Sequence, residues 1–141
     1  MSDENKLIFE LVTPIKVAAR YKVDQVVIPG ALGQFGVLPG HDPFMTLLGT
    51  GQLVTYRDGE EHYYFIDRGF CEVEEGKVVV LAEVCEASDE IDVERAIAAK
   101  NRAESRIRNA VVDADIDFAR AEAALLRSLS RIEIASKVQQ H

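Results

Sequence analysis

From Ile91 to Val138 the chain runs without a glycine or a proline, while all nine glycines and all four prolines lie before it. A helix can propagate freely there, because an interior Gly costs about 1 kcal/mol and an interior Pro about 3 kcal/mol relative to Ala. Apolar residues recur at helical spacing, first as Ala96, Ala99, Ala103, Ile107 and Ala110, then as Phe118, Ala121, Leu125, Leu129 and Ile132. This pattern predicts two amphipathic helices. The second runs from about Asp115 to Val138, roughly 36 Å at 1.5 Å per residue. Joined by a short junction, they should fold back into a hairpin. Asp92 is placed to cap the first helix, and Asp113, Asp115 and Asp117 to cap and charge the start of the second. The same aspartate run fails as a calcium loop, since Phe118 stands where such a loop needs Gly and Ala124 where it needs a bidentate Glu.

Before the helices the chain reads as β structure. Lys6–Thr13 alternates as a strand that Pro14 ends, and Lys16–Arg20 and Val23–Ile28 follow. Gly51–Tyr56 and Glu61–Ile66 flank Arg57-Asp58-Gly59-Glu60, a hairpin signal because both central turn positions favour positive φ. Phe70–Val73 and Lys77–Leu81 repeat the arrangement around Glu74-Glu75-Gly76. Short strands separated by turn residues predict an antiparallel sandwich or barrel. The glycine-rich run Gly30–His41 reads as tight turns, with Pro39-Gly40 suited to a type II corner. No Lys-Ser/Thr pair follows it and no helix opens there, so it is not a phosphate loop. The fold class is therefore α+β: an antiparallel β-sandwich over residues 1–88 followed by an α-helical hairpin over residues 89–141.

The charge is divided along the same line. Residues 1–91 carry 7 Lys and Arg against 16 Asp and Glu, a net of −9, whereas residues 92–141 carry 9 against 8, a net of +1. An acidic first half excludes nucleic acid as its partner. No apolar run approaches the roughly 20 residues needed to cross a bilayer. The start Met1-Ser2-Asp3-Glu4 is not a secretory or transit signal, so a cytosolic location without membrane insertion is expected. Cys71 and Cys85 form no C-x-x-C pair and lie near no histidine cluster, which predicts reduced structural thiols and no metal site. His41, His62 and His141 stand apart from any nucleophile or carboxylate pair and are expected at surfaces. With no catalytic set, the chain by itself is not read as an enzyme and needs no cofactor. Arg127 and Arg131, at i and i+4, share one helix face, where two guanidinium forks suit a polyphosphate as well as they suit solvent.

Together these segments resemble the epsilon subunit of F-type ATP synthase. The likeness rests on Phe35-Gly36-Val37-Leu38-Pro39-Gly40-His41-Asp42-Pro43-Phe44 with Leu47, on Arg68-Gly69-Phe70-Cys71-Glu72-Val73, on Ile91-Asp92-Val93-Glu94-Arg95-Ala96, and on Asp115-Ile116-Asp117-Phe118-Ala119-Arg120-Ala121. It implies a non-catalytic rotor-stalk subunit on the cytoplasmic face of a bacterial membrane. Its sandwich would bind the gamma subunit and the c-ring, coupling proton flow to ATP synthesis. Its hairpin would either fold back on the sandwich or extend to the catalytic alpha and beta subunits and block ATP hydrolysis. The resemblance also implies ATP as a regulatory ligand of the folded hairpin, with Ile91, Asp92, Arg95 and Ala96 matching the family's motif and Arg127 and Arg131 matching its basic residues. An ATP-sensing module acting apart from the rotor is the alternative. Three residues depart from the family pattern: Gln34 stands for an acidic residue, Asp42 for a small one, and Arg68 for Gly or Ser.

The sequence suits a movable hairpin. Each Ala standing where a Leu would fit forgoes on the order of 2 kcal/mol of burial, so an alanine seam holds weakly. A second apolar row, Ile116, Ala119, Ala123 and Leu126, calls for a partner beyond the first helix. The junction Asn109–Ala114 has no Gly or Pro to enforce a break, as a bistable element requires.

Overall fold

A computed structural model of the chain describes residues 5–137. It divides into two compact units, Met1–Ala87 and Ser88–His141. The first is a β-sandwich built from a single sheet: β1 (Leu7–Thr13), β2 (Lys16–Val23), β3 (Gln25–Gly30), β4 (Gly33–Val37), β5 (Phe44–Arg57), β6 (Glu60–Glu74) and β7 (Lys77–Ala87). They lie in the order β2-β1-β7-β6-β5-β3-β4, every pair antiparallel except β1 with β7. The glycine-rich run is not all turn. It contains β4, which pairs with β3 from Val26–Val37 to Gly30–Gly33 and leaves the turn at its end. There Gly40 has φ 87° and the His41 N–H donates to the Leu38 carbonyl at 3.1 Å, which is the type II corner expected at Pro39-Gly40. Asp58 (φ 49°) and Gly59 (φ 83°) likewise form the primed turn between β5 and β6.

The long strands β5, β6 and β7 change face partway along. In β6 the core residues are Tyr64 and Ile66 before Arg68, then Cys71 and Val73 after it. The inward parity thus switches from even to odd. In β5 it switches between Leu48 and Leu53, and in β7 the buried positions Val78, Val80 and Ala82 give way to Cys85 and Ala87. The β5–β6 and β6–β7 registers do not slip across this line. The switch comes from the backbone itself: Arg68 is left-handed (φ 55°) and Gly69 has φ 133°. A Cβ at Gly69 would meet the Leu81 carbonyl oxygen at 1.9 Å, so only glycine permits the approach of β7. The bend lets one sheet enclose a core that includes Leu7, Phe9, Leu11, Ile28, Leu53 and Ile66. Gly69→Ala should destabilise the sandwich by about 3 kcal/mol, read as a lower urea midpoint at unchanged slope. An unshifted midpoint would show that the approach is not required.

An ion cluster centred on the buried Lys6 ties the start of β1 to two turns. Lys6 Nζ donates to Asp24 Oδ1 at 2.7 Å and to Asp58 Oδ1 at 2.9 Å, and the Asp58 N–H donates to Asp24 Oδ2 at 2.8 Å. The Lys6 side chain is 2% exposed. Its ammonium holds the Asp24 and Asp58 carboxyls below their ordinary values, and hydrogen bonds to Asp24 and then Asp58 raise the pKa of Lys6. A depressed carboxylate stabilises above its unfolded-state pKa and stops doing so as pH falls through the folded value. A raised lysine stabilises below its unfolded-state pKa and loses that contribution as pH rises through the folded value. The contribution of this cluster should therefore hold a plateau between about pH 5 and pH 10, with an acid limb below about pH 4 that is shallower in Lys6→Met. Urea midpoints taken across pH test this, and an equally steep acid limb in the variant would refute it.

The second unit begins with a short 3-10 turn at Ser88–Glu90, followed by helices α1 (Val93–Asn109) and α2 (Phe118–Ser136). Asp92 caps α1, its carboxylate accepting from the Arg95 N–H at 3.1 Å, and Asp117 caps α2 in the same way through the Arg120 N–H at 3.1 Å. The helices pack on each other, and α2 also touches the Ser88–Glu90 turn, which fixes an antiparallel hairpin. Val138, the expected end of the second helix, and His141 lie outside the described residues.

Candidate functional site

The hairpin seam is lined by small side chains. Ala96 and Ala103 are buried on α1, as the alanine spacing predicts, with Ala99, Ile107 and Ala110 half-buried beside them. On α2 the buried line is Ala121, Ser128 and Ala135, joined by Ile134. Of the apolar row expected there, Ala121 is buried and Leu125 and Ile132 are half-buried, while Phe118 and Leu129 are 49% and 44% exposed. The difference lies in Ser128, a polar residue in a buried position. Its Oγ donates to the Leu125 carbonyl at 2.9 Å, so the hydroxyl is satisfied within its own helix and buries at little cost. Ala96 and Ala103 in one helix, and Ala121, Ser128 and Ala135 in the other, repeat every seventh residue, the spacing of a helix–helix seam. The second apolar row is open: Ala119, Ala123 and Leu126 are exposed and Ile116 is half-buried.

Ile91, Asp92, Arg95 and Ala96 are contiguous at the entry to α1. Ile91 and Ala96 are buried, Asp92 spends its carboxylate on the cap, and Arg95 is exposed. Counted outward from the connection, Ala96 and Arg131 stand at the same depth in their helices, and Arg127 lies one turn nearer the connection. Arg127 and Arg131 are both half-buried, flanking Ser128. The antiparallel hairpin thus puts Arg131 level with Ala96 near the start of α1, while Arg127 lies at the middle of α2. Asp92 serves the helix whether or not a ligand binds. Any phosphate contact falls to Arg95, Arg127 and Arg131.

In the sandwich the histidines sit where expected. His41 is half-buried, its Nδ1 2.8 Å from the Asp42 carbonyl and its ring 5.0 Å from that of Phe44, while His62 is exposed with its ring 5.9 Å from Tyr21. Cys71 and Cys85 are free thiols, and burial pushes Cys71 up to about 12, which leaves it inert as a nucleophile. Two features escaped the sequence. One is the Lys6 cluster, whose members are far apart in the chain. The other is an outward-facing row across five strands: Leu47 pairs with Phe70, Phe70 with Leu81, Leu81 with Val12, and Val12 with Val17. Leu47, Val17 and Phe70 are 67%, 59% and 39% exposed, with Met45 at 63% two residues before Leu47 on the same strand face. A row of this kind is unusual on a solvated sheet face and marks an interaction surface. It could not be read from sequence without the register that aligns its five members.

Residues 6–88 match the family described as ATP synthase, Delta/Epsilon chain, beta-sandwich domain, and residues 89–136 match ATP synthase, Delta/Epsilon chain, long alpha-helix domain. This chain belongs to the ATP synthase delta/epsilon chain family. Among its relatives are the ATP synthase epsilon chain of Citrifermentans bemidjiense, 47% identical over 94% of this chain and 95% of the relative, and that of Nitratidesulfovibrio vulgaris strain DP4, 45% identical over 93% and 96%. A chain of the Euglena gracilis mitochondrial ATP synthase OSCP/F1/c-ring structure shares the fold with a TM-score of 0.78 at 23% identity, covering 97% of this chain and 82% of that one. A chain of the Tetrahymena thermophila mitochondrial ATP synthase central stalk/c-ring shares it with a TM-score of 0.58 at 12% identity, covering 94% and 96%.

Arg68 has a left-handed backbone (φ 55°), which costs a residue with a side chain about 1 kcal/mol. Here Arg68 Nη2 lies 3.3 Å from Asp67 Oδ2, an oxygen of a buried carboxylate that accepts no hydrogen bond among the described residues. The other oxygen, Oδ1, accepts from Thr50 Oγ1 at 2.5 Å. Arg68 therefore supplies the countercharge that Asp67 lacks. No helix among the described residues is long and apolar enough to cross a membrane.

Proposed function

We propose that this subunit is a non-catalytic part of the central rotor stalk of an F-type ATP synthase, held at the cytoplasmic face of a bacterial membrane through its partners. The sandwich binds the gamma subunit and the c-ring. The hairpin extends toward the alpha and beta subunits and there opposes ATP hydrolysis. The observation that carries this reading is the apolar row Leu47–Phe70–Leu81–Val12–Val17 on a family-matched sandwich. A stalk contact would cover the row, and a freestanding nucleotide sensor has no use for it. The weak seam and the open row on α2 support the second half, because both leave the hairpin free to exchange partners. In a reconstituted complex, a subunit ending at residue 90 should still assemble and should raise ATP hydrolysis severalfold. Phe70→Asp should reduce assembly about a hundredfold or more, through burial of an unpaired charge. Unchanged hydrolysis after truncation would refute the inhibitory role, and full assembly of Phe70→Asp would refute the docking surface.

The proposed regulatory ligand is ATP, held along the hairpin by Arg95, Arg127 and Arg131, with Ile91, Asp92 and Ala96 shaping the entry to α1. Charge-assisted bonds from guanidinium groups to phosphate oxygens would supply most of the affinity. Calorimetric titration of the subunit with magnesium-free ATP should give saturable heat that falls at least tenfold in affinity in Arg95→Ala and in Arg127→Ala. An absence of heat at millimolar ATP would assign these residues to the fold alone.

A further inference from the structure

We infer that the bend between α1 and α2 is held by two side chains, Asp113 and Asp117, which act as the latch of the hairpin. The inference rests on the regulatory reading of the hairpin only for its consequence, not for its geometry. Helix α1 does not end on a stop signal. Its C-terminal cap, Ala110, is still right-handed helical (φ −61°, ψ −23°), and its N–H donates to the Arg106 carbonyl at 2.9 Å. Helical bonding continues past it, with the Asp113 N–H on the Asn109 carbonyl at 2.9 Å. Among the described residues, none after Gly76 has the positive φ by which helices commonly terminate.

The stretch between the helices is residues 110–117, entered through a 3-10-type bond from the Val112 N–H to the Asn109 carbonyl at 3.1 Å. There Asp113 Oδ1 accepts the Asp115 N–H at 3.0 Å, and Asp117, extended at φ −77° and ψ 100°, accepts the Arg120 N–H at 3.1 Å. Both bonds satisfy backbone donors that would otherwise find partners one turn back in a continuous helix. The carboxylates therefore substitute for the main-chain bonds that the bend gives up. Val111 and Val112, 88% and 87% exposed, add no packing that would hold it. Removing either carboxylate weakens the bent form, and placing Ala there favours an unbroken helix. Each change should move the balance about tenfold, and both together about a hundredfold.

The test uses the full chain with spin labels at the exposed positions Asn101 and Glu122, in a background carrying Cys71→Ala and Cys85→Ser. An unbroken helix places these positions roughly 32 Å apart at 1.5 Å per residue, whereas the hairpin keeps them much closer. Asp113→Ala with Asp117→Ala should populate the long distance. Asp117→Asn should keep the short one, because Asn caps as well as Asp. Ala114→Gly, an exposed change outside both helices, should disfavour the long form about fivefold. A double alanine variant with an unchanged distance distribution would overturn the latch, as would an Asn variant that opens as far as the Ala variant. ATP hydrolysis of the complex is read in parallel. A latch that opens without altering hydrolysis leaves this inference standing and removes the regulatory role instead.

Discussion

The close approach of Gly69 to the Leu81 carbonyl is the constraint on which the sandwich depends. One sheet of seven strands can enclose a core only if its long strands exchange inner and outer faces, and they do so along a line through Gly49, Arg68 and the middle of β7. In β6 the exchange takes place at a left-handed residue followed by a residue without a Cβ, Arg68-Gly69. The same turn of the backbone sets Phe70 outward beside Leu47 and Leu81. Core closure and the exposed apolar row are thus two results of one bend, and a change that damages the first also misplaces the second.

The helical unit follows a different logic. Its seam uses methyl and hydroxymethyl groups at seven-residue intervals, so the helices approach closely while burying little area per residue. Its bend relies on aspartate side chains in place of glycine. Each choice lowers the barrier to leaving the hairpin while keeping it well formed. The two units thus divide, with the tightly knit ladder in one and the lightly held seam in the other.

The long strands show why the sandwich was only partly legible. Read by alternation, β6 separates into Glu61–Ile66 and Phe70–Val73, because the inward parity changes at Arg68 and no single period covers both sides. Turns fared better. Asp58-Gly59 and Pro39-Gly40 need particular φ values that few residues adopt, and both occur as the sequence predicts. Of the candidate site, the entry to α1 at Ile91, Asp92, Arg95 and Ala96, capped by Asp92, followed from local preference. The burial of Ser128 did not, since a hydroxyl bonded within its own helix breaks the apolar pattern on which such readings depend.

What the sequence determined by itself was local: two capped helices, the primed and type II turns, the α+β order of the units and the acidic first half. These depend on backbone preference and short-range hydrogen bonding, which neighbouring residues carry between them. Only the tertiary structure decided the exchange of faces, the Lys6–Asp24–Asp58 cluster, the five-strand apolar row and the buried place of Ser128 in the seam. Each of these joins residues distant in the chain through register or packing. That geometry exists only once the sheet has closed and the helices have met.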